Sequence, residues 1–375
     1  MSRLLIYLSF VSLPGAAELG LLPLTGLYVV LVLASPVIEA AVRPGSFLRS
    51  GETIPFASIL YVLSIPLLLA LNFLMARLNE VDPTIWMSRS IHLALVPFFY
   101  ASFKLARLDP ETVFRDISIV GFIEVLLVYA AFLLYFDSAL LRRATDFEGV
   151  IVYSVFLLLA ALFCLKKYQA EKSGVYLFGY FLILLATVLT GTRVLTISAA
   201  LLILALERKT RTIVIGGLIA ILLIPLVELG LFGRFDFGLD DNLITITSKL
   251  EELMTLWGFF SDHPALGTGF GKAYQVSLAV NEYTYSHNIV LFYLGYAGLA
   301  GVLIGLYPLI RLFLVPGYRV IVIAIAVFYA SSTTFTNVKH SILLAFVLLL
   351  LDSKRRVSAR RSEIPRPLLA ASHVP

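Results

Sequence analysis

Charge is scarce in this chain. Asp, Glu, Lys and Arg make up 14% of its 375 residues, while 59% are hydrophobic; soluble globular domains carry about 25% charged residues. Water is therefore excluded as the main solvent. Cysteine is nearly absent: Cys164 stands alone in an apolar run, which leaves no intrachain disulfide and no cysteine-based metal cluster. The chain also lacks a Walker-type phosphate loop, an H-E-x-x-H zinc site and a G-x-S-x-G nucleophile elbow. His92, His263, His287, His340 and His373 are too scattered in sequence to suggest a shared metal, so neither metal nor cofactor is expected. A formal net charge of +5 does not imply nucleic acid, because the basic residues are spread through short loops between apolar runs.

Those apolar runs dominate the sequence. A bilayer core about 30 Å thick needs about 20 apolar residues per helix. Runs of this kind predict spans at 4–13, 20–41, 54–75, 85–103, 117–136, 149–165, 174–190, 194–206, 212–232, 288–310, 320–331 and 338–351. The expected fold is all-α, a polytopic membrane protein of about 12 transmembrane helices forming one domain over residues 1–352. With both termini inside, 20 of the 29 Lys and Arg fall in cytoplasmic segments, eight fall outside, and Arg89 lies within a helix, as the positive-inside rule requires. The basic tail, 353–375, is cytoplasmic on this reading; binding of anionic lipid, contact with a partner and fixing of topology are all compatible with it. The first run, followed by Pro14-Gly15-Ala16-Ala17, also fits a cleaved secretory signal; retention is preferred, and the sidedness of the remaining loops is the same either way.

One outer loop, 233–286, is far longer than the rest, and long loops in compact proteins are functional or disordered. Ser248-Lys249-Leu250-Glu251 reads as a capping box, with Leu250, Leu253, Met254 and Trp257 following at helical spacing. An amphipathic helix on the outer surface is expected, ending before Pro264 and the turn Gly267-Thr268-Gly269-Phe270-Gly271.

The candidate chemistry gathers near the same face. His287 and Asn288 stand where the loop enters a membrane helix; a helix N-terminus disfavours imidazolium and would keep a neutral ring as a general base. The plainer alternative is an interfacial cap. Gly298 and Gly301 follow, fit for close helix packing. Arg193 sits in the polar break Thr190-Gly191-Thr192-Arg193, either snorkelling to the interface or offering a guanidinium fork to phosphate oxygens. Arg234 and Lys249 are further candidates for the same anion, or solvated loop charges. Arg89 and His92 share a helix face as a weaker substrate-site candidate.

These residues resemble the O-antigen ligase and O-antigen polymerase superfamily of bacterial polysaccharide assembly. His287-Asn288, nine residues, Gly298, two residues and Gly301 match its H-N-x9-G-x-x-G pattern. The stretch 262–271 resembles the family segment that precedes that pattern, and 190–193 resembles the family's Ser/Thr-Gly-Ser-Arg break. Lys249 stands where the family usually has arginine, and Leu253 where it has tryptophan, with Trp257 a turn later. The resemblance implies a metal-independent glycosyltransferase of the inner membrane, drawing glycan from a polyprenyl-diphosphate carrier at the outer face. It implies His287 as the base or acceptor-orienting group and Arg193 at the carrier diphosphate. The implied partners are the carrier-linked oligosaccharide, a glycan acceptor, membrane lipids and other polysaccharide-assembly proteins. A polymerase is favoured because the outer loop is small; a ligase acting on lipid A core or protein is the alternative. From other classes, a lipid-linked sugar flippase would show internal repeats and discontinuous helices with a midplane site, and a structural scaffold would need no histidine.

Overall fold

The computed structural model describes residues 1–9, 22–42, 54–134, 155–189, 193–206, 209–212, 214–218, 239–272, 288–330 and 338–363. Among these residues the regular structure is helical, with no strand. The helices are α1 (Ser2–Leu8), α2 (Leu22–Val42), α3 (Phe56–Leu78), α4 (Pro83–Ala94), α5 (Val96–Leu105), α6 (Pro110–Leu134), α7 (Val155–Glu171), α8 (Gly174–Leu189) and α9 (Arg193–Leu201), which runs into a 3-10 turn. There follow α10 (Leu239–Asp262), α11 (Ile289–Gly305), α12 (Tyr307–Phe313), α13 (Arg319–Tyr329) and α14 (Val338–Glu363). Most of the span expected at 212–232, and the loop residues 233–238 and 273–287, lie outside the described residues.

α3 mixes polar and apolar residues on its buried face and exposes leucines on the other. On α3 the buried face carries Ser58, Tyr61, Ile65, Leu68, Asn72 and Ala76, at helical spacing. The opposite face exposes Leu60, Leu63, Leu67, Leu71 and Leu74. A soluble monomer avoids a continuous apolar surface of this kind. α14 is the axial element: Ile342, Leu343, Leu344 and Ala345 are fully buried, and α4, α5, α6 and α12 pack around it. The expected span ended at Leu351, whereas α14 continues into the basic tail as far as Glu363.

Several boundaries differ from expectation for local reasons. The span expected as one helix at 85–103 is two, α4 and α5, meeting at Leu95. Pro97 has no N–H for the Leu93 carbonyl, and its ring crowds that carbonyl. α6 begins at Pro110 rather than at Ile117, because Asp109 caps it, accepting from Thr112 N (2.8 Å) and Thr112 Oγ1 (2.7 Å). α10 begins at Leu239, so Ser248 lies inside the helix and does not cap it; once nucleated, a helix propagates cheaply through an acceptable residue. α11 and α12 are bent by 46° and together are long and apolar enough to cross a bilayer. Among the described residues α3 alone meets that test of length and composition unaided.

One end of the bundle is tied by carboxylates. Asp352, buried on α14, accepts from Ser58 Oγ (2.7 Å) and Tyr100 OH (2.5 Å) and pairs with Lys104 Nζ at 2.7 Å. It thereby joins α3, α5 and α14. Glu39 accepts from Ser2 N (2.8 Å) and Ser2 Oγ (2.7 Å), and Asp116 holds Arg3 (2.6 Å) and Tyr7 (2.9 Å). At the other end of α14 a buried ion pair joins Lys339 to Glu124 of α6.

Removing one partner from a buried pair costs about 3 to 5 kcal/mol. Asp352→Ala is therefore expected to lower the thermal midpoint in detergent by more than Lys104→Met, which leaves the carboxylate two other donors; equal losses would remove Asp352 as the joint. Asp109 makes an acid-side prediction. The Thr112 hydroxyl and then its N–H hold the Asp109 carboxyl below its usual range, so its contribution is present above about pH 4 and is lost as pH falls through the depressed folded value. Asp109→Asn keeps a good N-cap: stability at pH 7 should change little, and acid titration of unfolding should be shallower than in the wild type.

Candidate functional site

The segments that the sequence pairs in one pattern, 262–271 and 288–301, pack against each other. α11 is interrupted at Gly298, whose backbone (φ 63, ψ −160) is not helical. Interrupting a helix strands amide and carbonyl groups that must find partners. Here the preceding loop supplies them: Leu299 N donates to Pro264 O (2.9 Å) and Ala300 N to Ala265 O (3.2 Å). In return Thr268 N donates to Gly295 O (3.1 Å) and Gly269 N to Tyr296 O (2.9 Å). The two backbones touch where glycines face them. A Cβ on Gly298 would lie 2.4 Å from the Ala265 carbonyl carbon, and one on Gly267 (φ 66) would lie 2.2 Å from that of Tyr296. Gly298 thus serves a break in the helix, where the sequence suggested close helix packing.

Asn72 locks this platform to α3. Its Oδ1 accepts from Phe270 N (3.0 Å) and Trp86 Nε1 (3.0 Å), while Nδ2 donates to Tyr296 O (2.6 Å) and Leu266 O (3.3 Å). All four hydrogen-bonding positions of the amide are used, and the residue is fully buried. Phe270 stacks on Phe292 with ring centroids 5.5 Å apart, and Lys272 Nζ closes the loop onto Asn79 O at 2.7 Å. Sequence reasoning passed over Asn72, although a lone amide within an apolar helix is itself a signal.

At the base of the platform lies a closed polar cluster. His92 Nε2 shares a hydrogen bond with Tyr293 OH (3.1 Å) and His340 Nδ1 one with Tyr329 OH (3.0 Å). The two imidazole centroids are 6.0 Å apart, and Ser341 Oγ donates to the His92 carbonyl. His92 is fully buried against Phe270, Phe292 and Tyr293. It therefore supports the platform from inside. Arg89, one turn earlier on α4, is half-buried.

Asn288 caps α11, its Oδ1 accepting from Val290 N (2.9 Å) and Leu291 N (3.1 Å). His287 itself and Arg234 lie outside the described residues. Arg193 opens α9 and Lys249 lies within α10; their side chains also fall outside the description. α10 packs by Leu256 against Gly295, where a Cβ would come within 2.9 Å of the leucine side chain. Leu250, Leu253, Met254 and Trp257, the apolar residues of the expected amphipathic helix, are exposed. Among the described residues no three His, Cys, Asp or Glu side chains converge as a metal site would require.

No protein-family model matches the chain, and no curated protein matches it.

Two substitutions test the platform. Asn72→Leu strands buried donors and acceptors at about 1 to 3 kcal/mol each, so a loss of several kcal/mol or failure to fold is expected. Gly298→Ala should lower the unfolding temperature more than Gly26→Ala, because nothing lies within 4 Å of a Cβ at Gly26. Equal effects of the two glycine substitutions in thermal unfolding would contradict the described break.

Proposed function

We propose that the protein is a polytopic inner-membrane glycosyltransferase, transferring a glycan from a polyprenyl-diphosphate carrier to a carrier-linked acceptor sugar at the outer face. The observation that carries the reading is the direct docking of loop 263–270 on the broken helix at Gly298. The described parts of the pattern that resembles the O-antigen polymerase and ligase superfamily, 262–271 and 288–301, pack against each other, which supports this reading. The membrane part of the reading rests on the exposed leucine face of α3 and on the bias of Lys and Arg toward one side of the twelve expected spans.

In the proposed reaction an acceptor hydroxyl attacks the anomeric carbon as its proton passes to His287. The bond from that carbon to the diphosphate oxygen breaks, inverting the centre, and the carrier diphosphate leaves with the electron pair. Arg193, with Lys249 or Arg234, would neutralise its developing charge. A single such donor contributes about 3 to 4 kcal/mol of barrier. Asn288 orders the first turn of α11 and so fixes the backbone beside His287.

A discontinuous helix is also the hallmark of transporters, whose unwound segments line a midplane site. At Gly298 the stranded groups named above are instead taken up by protein backbone, which favours a rigid support over a permeation element.

Purified protein in liposomes, given lipid-diphosphate oligosaccharide alone or with a core acceptor, separates the outcomes. A ladder from the carrier-linked substrate alone is expected, identifying a polymerase; a single product that needs the core acceptor would identify a ligase. His287→Ala should abolish transfer, and Arg193→Gln should slow it by about a hundredfold or more. Wild-type rates in His287→Ala would remove the proposed base, and movement of lipid-linked sugar without transfer would turn the assignment to a flippase.

A further inference from the structure

At the end of the bundle away from the platform, α6, α7, α13 and α14 enclose a cavity of about 570 Å³, within the range of about 300 to 1,000 Å³ typical of ligand sites. Its deep wall is hydrocarbon, including Leu159, Ile325, Leu343 and Val347. Its mouth is cationic and aromatic. Lys166 Nζ lies 5.4 Å from the Phe114 ring centroid and 5.2 Å from that of Tyr318, and Lys354 Nζ lies 4.6 Å from the same Tyr318 ring. Two like charges share one ring, and neither is paired with a described carboxylate. Lys167 also lines the mouth; its partner is the partly exposed Glu171, at 3.1 Å, a surface pair of little strength. Two carboxylates, Asp109 and Glu111, border the same cavity, but Asp109 is occupied in capping α6. A second cavity of about 190 Å³ shares Asp109, Pro110 and Ser353 with the first and adds Arg107.

An apolar slot crowned by lysines matches an amphiphile with an anionic head. The site also lies at the end of the bundle expected to face the cytoplasm, where the leaflet is anionic. We propose that this groove is a binding site for a phosphate-bearing anionic lipid. One acyl chain lies along Leu159, Ile325 and Val347, and the headgroup phosphate sits between Lys166 and Lys354. The proposal rests on the membrane reading above but not on the glycosyltransferase reading.

Native mass spectrometry of the full-length protein in neutral detergent tests it, with dioleoyl phosphatidic acid, dioleoyl phosphatidylcholine and inorganic phosphate as probes. Phosphatidic acid should bind about tenfold more tightly than phosphatidylcholine. Each of Lys166→Gln and Lys354→Gln should weaken phosphatidic acid about fivefold, with little change for phosphatidylcholine. Lys166 and Lys354 are both exposed and stand on different helices, so either variant remains informative should the other fail to fold. Equal affinity for the two lipids, or phosphatidic acid binding unchanged in Lys354→Gln, would overturn the proposal. So would displacement of phosphatidic acid by equimolar inorganic phosphate, which would make the site one for a free anion. Alkaline carbonate extraction reads the underlying membrane assignment separately: release of the protein from membranes would sink that reading, whereas retention without lipid selectivity would sink the groove alone.

Discussion

A backbone that leaves the helical path inside an apolar protein must find hydrogen-bond partners within the protein, because no water is at hand to supply them. At Gly298 that requirement fixes the position of an entire loop. Four backbone bonds join loop residues 264–269 to residues 295–300, and the Asn72 amide ties both to α3. The aromatic layer follows from this joint, since Phe270 is delivered by the loop and Phe292 by the helix. His92 then packs edge-on to those rings, with His340 behind it.

Buried ion pairs stand at both ends of α14, but the platform segments themselves are joined by backbone groups and the Asn72 amide. At the end holding Asp352, Glu39 and Asp116 the joints are ionic and lie close to helix termini, where a lysine or arginine can reach a carboxylate while its stem covers apolar surface. At the platform the joints are neutral amides and carbonyls. Neutral partners cost less to desolvate than ions, and Lys272 adds a charged donor to the joint where it meets the Asn79 carbonyl.

The fold was legible in outline. Apolar runs located most helices, since length and composition suffice to recognise a helix that buries one face and exposes leucine on the other. What escaped were the interruptions. Pro97 splits a run that reads as continuous, and Asp109-Pro110 starts a helix ahead of the span expected at 117–136. Ser248 looked like a cap because its spacing to Glu251 is right, yet the helix had already begun at Leu239. The platform was half legible. The glycines and the two segments stood out in the sequence, but Asn72, nearly 200 positions from Leu266, could be matched to its partners only by the fold.

The facing glycines carry a further consequence for how such a sequence can drift. At most contacts in a core, a larger residue on one side is tolerated when its neighbour becomes smaller. At Gly267 and Gly298 that exchange is closed, because each approaches main-chain atoms of the opposite segment and main chain cannot be trimmed. The two positions are therefore individually frozen rather than mutually compensating, and variation in this part of the chain is channelled to the outward face of α10, where Leu250, Met254 and Trp257 meet no such wall.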